Sequence, residues 1–172
     1  MRFVVADDPE AVALRAALAD RVCDTDAAGL MTANVWLWAS EPPGADPRAV
    51  VSALLADPGF PARPWLEPNL GSAPPWVALT AEAAGAAAVR LLTRGQSLEV
   101  PAFDGEPEAA AGFAGRLLAW VGPPVAALAS LEYRPGGVSS GFRLFRVPHW
   151  FDEGLALVGP RRVALLWFVG TD

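Results

Sequence analysis

Several residue types that carry chemistry are scarce or absent in this chain of 172 residues. The sequence has no lysine, one cysteine and one histidine, and all 13 basic residues are arginines. A single cysteine, Cys23, excludes a disulfide within the chain and is typical of a reducing compartment. Zinc sites need three or four Cys, His or carboxylate ligands, which argues against zinc here. We therefore expect no bound metal and no cofactor.

Long hydrophobic runs are also missing. The longest strongly apolar run, Val163–Val169, is far shorter than the ~20 residues that cross a bilayer. The N-terminal MRFVVADDPE becomes acidic too early for a signal peptide. Seven Trp, eight Phe and a hydrophobic content of 53% exclude a disordered chain. We expect a single globular domain over residues 1–172, cytoplasmic and without a membrane partner.

The negative charge is concentrated in the first half of the chain. Residues 1–86 carry 11 acids and 5 arginines, whereas residues 87–172 carry 8 of each, so the net charge of −6 belongs to the first half. An acidic surface repels phosphate and attracts basic proteins, which argues against nucleic acid as a partner. The alternative is that this charge only aids solubility.

Two early helices are predicted by a repeated Asp-Pro-x-Ala-Val pattern. Asp8 and Asp46 suit the N-cap, where a carboxylate accepts a hydrogen bond from a backbone N–H without an intrahelical partner. The prolines that follow suit the first helical position. Later, Thr80 favours a helix to about Thr93, although a hairpin turning at Arg94-Gly95 is the alternative. A further helix is predicted to start near Pro107.

From Val125 onward the pattern favours strands. The stretches VAALASLEY, GFRLFRV, LALV and VALLWFV are separated by turn-forming segments, among them PHWFDEG. In NVWLWA, Trp36 and Trp38 share one face while Val35 and Leu37 share the other, which indicates a strand buried on both sides. We predict an α+β, mixed α/β layered domain with helices mainly in the first two-thirds and antiparallel strands toward the C-terminus.

A proline-rich segment at residues 57–76 excludes helix and central strand, because each proline removes a backbone donor. Irregular segments of this length are often functional. A rigid connector that lies over the core is the alternative interpretation. In either case Trp65 is its candidate anchor.

The only histidine, His149, precedes two carboxylates in PHWFDEG. A histidine oriented by Asp152 or Glu153 is a candidate general base. In an extended segment His149 and Asp152 point to opposite sides, so only a turn brings them together. The alternative is a loop histidine, with Trp150 and Phe151 covering the edge of the core.

A second enzymatic hypothesis concerns the glycine-rich loop RPGGVSSGFR, residues 134–143. It partly resembles the acyl-CoA loop of GNAT-type acetyltransferases, since Arg134 and Gly137 match that pattern and Ser139 occupies its last position. The resemblance implies an acyl-CoA-dependent transferase. In that family a helix N-terminus then holds the pyrophosphate, whereas here the next residues, FRLFRV, are strand-like.

Three function classes follow: a protein-binding module, a small enzyme, and a subunit of a larger assembly that exposes Trp and Phe. We favour a non-catalytic module that binds a protein with a basic surface. In size, acidity and poverty of catalytic groups the chain is similar to the small cytosolic immunity proteins that neutralise bacterial toxins. The residues expected to bind the partner are Asp7, Asp8, Glu10, Asp20, Asp24, Asp26 and Trp65.

Overall fold

Helices and strands cover most of the part of the chain that the computed structural model describes, namely residues 1–21, 33–41, 46–67, 75–94, 102–130, 133–134, 137–138, 144 and 151–170. The helices of these ranges are α1 (Pro9–Ala19), α2 (Pro47–Ala56), α3 (Ala81–Arg94) and α4 (Pro107–Val121). The strands are β1 (Arg2–Val5), β2 (Ala33–Glu41), β3 (Val77–Leu79), β4 (Ala126–Ala129), β5 (Tyr133–Arg134), β6 (Gly137–Val138), β7 (Phe151–Val158) and β8 (Arg162–Gly170).

Six of these strands form one antiparallel sheet in the order β1-β2-β8-β7-β4-β3. The long strands β7 and β8 pair from Phe151 opposite Gly170 to Val158 opposite Val163 and occupy its centre. Among the described strands, the short strands β5 and β6 pair with each other and form a separate two-stranded sheet. The predicted α+β class, with helices early and antiparallel strands late, is confirmed.

Each face of the sheet has its own hydrophobic core. The first face, which α1, α3 and α4 cover, takes Val35 and Leu37 from β2. The second face, which α2 covers, takes Trp38, with Trp36 packed beside it. Because side chains of a strand alternate between faces, this arrangement confirms that β2 is buried on both sides.

The predicted helix starts are confirmed by their capping hydrogen bonds. Asp8 accepts from Ala11 N at 3.2 Å, and Asp46 accepts from Ala49 N at 3.1 Å. The Thr80 hydroxyl oxygen accepts from Ala83 N at 3.1 Å and begins α3. Each bond pairs a backbone donor that the first helical turn leaves without an intrahelical acceptor.

The end of PHWFDEG was wrongly predicted as a turn, because Phe151–Gly154 are the first residues of β7. Asp and, to a lesser degree, Glu are depleted in strands, yet Asp152 and Glu153 are both buried in this one. Asp152 accepts a hydrogen bond from Trp167 Nε1, and Arg90 lies 3.8 Å from Glu153. Buried polar groups are tolerated where they are paired, and these partners come from distant parts of the chain.

The described part of the proline-rich segment lies over the second face of the sheet. Arg63–Trp65 form a short 3₁₀ helix, and Phe60 and Ala62 are buried. The Phe60 ring centroid is 5.3 Å from that of Trp36 and 5.6 Å from that of Trp38. Phe60 is therefore an anchor of this segment that sequence reasoning missed. The side chain of Trp65, the predicted anchor, lies outside the described part of the structure.

Gly154 provides a test of the packing between β7 and its neighbours. A Cβ at Gly154 would collide with Leu166 O and would lie 2.5 Å from the Trp167 ring. We expect Gly154→Ala to lower the free energy of unfolding by about 1–3 kcal/mol, as overpacking does. The measurement is urea denaturation followed by circular dichroism.

The matched control is Gly115→Ala on the exposed face of α4, where an added Cβ meets no atom within 4 Å. There alanine is expected to raise stability by about 0.5–1 kcal/mol, because glycine is the poorer helix former. Equal stability of the two variants would show that Gly154 is not held against Trp167.

Candidate functional site

The N-cap of α1 joins three elements. Trp120 Nε1, from the end of α4, donates to Asp8 Oδ1 and Oδ2 at 3.1 and 3.0 Å. Arg162, at the start of β8, donates from Nη1 to Trp120 O at 2.6 Å and lies 3.9 Å from Asp8 Oδ2. Its guanidinium carbon is 4.9 Å from the centroid of the Trp120 ring. Asp8 thus holds α1 against α4 and β8.

Two further ion pairs neutralise charge between α1 and α4. Arg116 Nε donates to Glu10 Oε1 at 2.7 Å. Arg21, just after α1, donates to both carboxylate oxygens of Glu106 at 2.9 and 3.1 Å and lies over the Phe103 ring. Exposed pairs of this kind stabilise a protein only slightly. Because its carboxylate is paired with Arg116, however, Glu10 does not offer an unpaired negative charge to a partner.

Two of the acids expected to bind a partner stand at the two ends of α1. Asp7 precedes the helix and Asp20 ends it, and both are exposed. No ion pair to either of them occurs in the described residues. Of the six acids expected to bind a partner, Asp8 and Glu10 are thus engaged within the fold, Asp7 and Asp20 are exposed, and Asp24 and Asp26 lie outside the described residues.

The exposed large hydrophobic side chains of the described residues belong to the N-terminus, β1 and α1. Within the described ranges, the large hydrophobic residues with high exposure are Met1 at 49%, Val4 at 50%, Val5 at 55% and Val12 at 50%. On α1, Val12, Ala16 and Ala19 are all exposed and share one helix face at i, i+4 and i+7 spacing. We call Asp7, Val12, Ala16, Ala19 and Asp20 the α1 surface.

The two carboxylates next to His149 in sequence are separated by the sheet. As neighbours on β7, Asp152 and Glu153 point to opposite faces. Asp152 is 8% exposed, and its Oδ1 accepts from Trp167 Nε1 at 2.6 Å on the second face. Glu153 is 2% exposed and lies near Arg90 of α3 on the first face. The two carboxylates therefore lie apart, and each has a partner within the fold.

Other predicted site elements lie mostly outside the described residues. His149 lies there, as do residues 134–141 of the glycine-rich loop except for the backbone of residues 134, 137 and 138. The candidate roles of His149 and of this loop therefore stay predictions. Trp65 has a described backbone only.

The described ranges contain neither a metal-binding cluster nor a helix suited to a membrane. No cluster of three or more His, Cys, Asp or Glu side chains suited to a metal ion occurs in them. No helix in these ranges has both the length and the apolar character to span a bilayer.

Comparisons with protein-family models, with curated proteins and with solved structures give no significant match for this chain. Function must therefore be inferred from the chain's own residues. The exposed valines of β1 were not among the sequence-predicted site residues. The run RFVV indicates a strand, but only the sheet order shows that this strand is an edge.

The Asp8 carboxyl provides a pH test of the contact between α1, α4 and β8. Partial burial acts to raise the pKa of Asp8, but the hydrogen bonds from Trp120 and Ala11, with the charge of Arg162, outweigh it and lower that pKa below 3.8. A lowered folded-state pKa gives stability that is present above the unfolded-state pKa and is lost as the pH falls through the folded-state value.

We therefore expect Asp8→Asn to be less stable than the wild type at neutral pH. The difference should shrink as the pH falls below 3.8. Urea denaturation at several pH values measures it, with the exposed Asp7→Asn as control. A difference for Asp8→Asn that does not change with pH would contradict the ionic role of this carboxylate.

Proposed function

We propose that this chain is a non-catalytic protein-binding module whose α1 surface binds a partner with a basic face. The observation that supports this proposal most directly is the exposed apolar stripe of α1, Val12, Ala16 and Ala19. It lies between the exposed acids Asp7 and Asp20, to which no ion pair occurs within the described residues. In a binding surface of this kind, the apolar centre contributes to affinity and the charged rim raises the association rate.

The charge distribution around α1 supports a partner of positive charge. Arg21 and Arg116 are held by Glu106 and Glu10, so these two cations are not directed at a partner. Asp7 and Asp20 are exposed at the surface. The overall charge of −6 adds a long-range field of the same sign.

The proposed role is neutralisation of a basic protein in the cytoplasm, as an immunity or antitoxin protein performs it. Such a role needs affinity and a complementary charge but no catalytic group. The enzyme alternative depends on His149 and on the 134–141 loop, and no contact in the described residues favours it. The assembly alternative predicts exposed Trp and Phe, whereas the exposed large hydrophobic side chains of the described part are Met and Val.

The first test is an affinity capture of the tagged full chain from the lysate of its native host, washed at low and at high salt. We expect one basic protein that is released by salt. Absence of a basic partner at both salt concentrations would contradict the proposal.

Charge variants then test the α1 surface against the captured partner. Asp7→Asn with Asp20→Asn should lower the association rate constant several-fold and flatten its salt dependence, because electrostatic steering is screened by salt. The control is Glu82→Gln with Glu108→Gln, which makes the same change in net charge on exposed positions of α3 and α4. Equal effects of the two double variants in stopped-flow measurements would show that α1 is not the binding surface.

A further inference from the structure

The outer edge of β1 presents backbone hydrogen-bonding groups to solvent. β1 is the first strand of the sheet order and pairs with β2 on one side. Ala6 N donates to Leu37 O at 2.9 Å, which identifies the residues of this strand that bond to β2. Alternate residues of an antiparallel strand bond to the same neighbour. The N–H and C=O groups of Phe3 and Val5 therefore point away from the sheet.

The side chains of this edge are apolar on both faces. Val4 and Val5 are each at least half exposed, at 50% and 55%, and as neighbours on a strand they point to opposite faces. Helix α1 packs on β2 and α4 and so does not cover them. At the opposite edge of the sheet, Val77 and Leu79 of β3 pack instead against the core.

Edge strands that present both open backbone groups and exposed branched side chains readily pair with another strand. A charged residue stands at each end of this one, Arg2 before the valines and Asp7 after them, and both are exposed. The strand thus runs from a basic residue through apolar residues to an acidic residue. When two copies run antiparallel, the basic end of each strand lies beside the acidic end of the other. A parallel arrangement would instead set Arg2 against Arg2.

We propose that β1 pairs antiparallel with β1 of a second copy of this chain, about a two-fold axis that passes midway between the Val4 residues of the two copies. In that register Phe3 of one copy faces Val5 of the other, and these residues exchange the outward hydrogen bonds of both strands. Val4 faces Val4 of the second copy, and Arg2 stands opposite its Ala6, next in sequence to Asp7.

This dimer has a consequence for the surface proposed above. The two six-stranded sheets join into one continuous sheet, and a two-fold axis perpendicular to a sheet keeps each face on its own side. Both α1 helices then lie on the same side, and the dimer presents two acidic α1 surfaces together. Pairing through a strand of four residues per copy gives a small interface, so the dimer should be weak and concentration-dependent.

The test is the oligomeric state of the full chain by sedimentation equilibrium over a wide concentration range. We expect a reversible monomer–dimer equilibrium in the wild type. Val5→Pro removes an outward N–H from each copy and none that bonds to β2, so it should weaken the dimer about tenfold or more. A wild type that stays monomeric at all concentrations would overturn the proposal.

A charge-swap pair tests the two-fold axis itself. Val4→Lys and Val4→Glu should each be monomeric, because like charges face each other at the axis. Mixing the two variants should restore a dimer of one copy of each, since the charges are then opposite. Dimers that persist in Val4→Lys, or a mixture that stays monomeric while the wild type dimerises, would exclude this register.

Further measurements distinguish loss of the dimer from loss of the fold and from loss of partner binding. Thermal unfolding by circular dichroism checks that the Val4 and Val5 variants keep the fold, as their exposure leads us to expect. Val12→Lys, on α1 and away from the β1 edge, should leave the dimer intact. A monomeric Val4→Lys that still binds the captured basic partner would separate dimerisation from partner binding, and the failure of either proposal leaves the other open to test.

Discussion

The pairing of β7 with β8 is the interaction on which the rest of this structure depends. From Asp152 to Val158 and from Val163 to Val169 every residue is buried, so both strands contribute side chains to both cores. Helices α3 and α4 pack on these strands from the first face and α2 from the second. Burial of apolar side chains is the main stabilising term in folding. Without this pair, neither core would have a surface on which its helices could pack.

Because β7 and β8 are buried, the polar side chains at one end of this strand pair need hydrogen-bonding or ionic partners. Asp152, Glu153 and Ser130 are all buried there, and burial without partners would be costly. Trp167 Nε1 donates to Asp152, Arg90 lies near Glu153, and Ser130 Oγ accepts from Gly154 N at 2.9 Å. Gly154 also leaves the space that the Trp167 ring occupies. These carboxylates are thus explained by the packing of the sheet.

Local signals in the sequence were sufficient for the helix starts and for the two-sided burial of β2. Asp8, Asp46 and Thr80 cap helices through contacts three residues away, so the pattern contains the whole interaction. The start of β7 could not be predicted in this way, because Trp167 lies 15 positions from Asp152 and Arg90 lies on another element. For the same reason, the sequence did not predict which acids of the candidate site are paired. Whether an acid is free or paired depends on distant arginines such as Arg116 and Arg162.

The described part of the chain combines a buried central strand pair with exposed large hydrophobic side chains at Met1, on β1 and on α1. The most direct test of this organisation is native-state hydrogen exchange of the full chain, followed by nuclear magnetic resonance. We expect the paired amides of β7 and β8 to exchange slowest, through global unfolding, because the most stable units open last. If amides of α3 or α4 outlast those of β7 and β8, the central pair is not the element on which the fold depends.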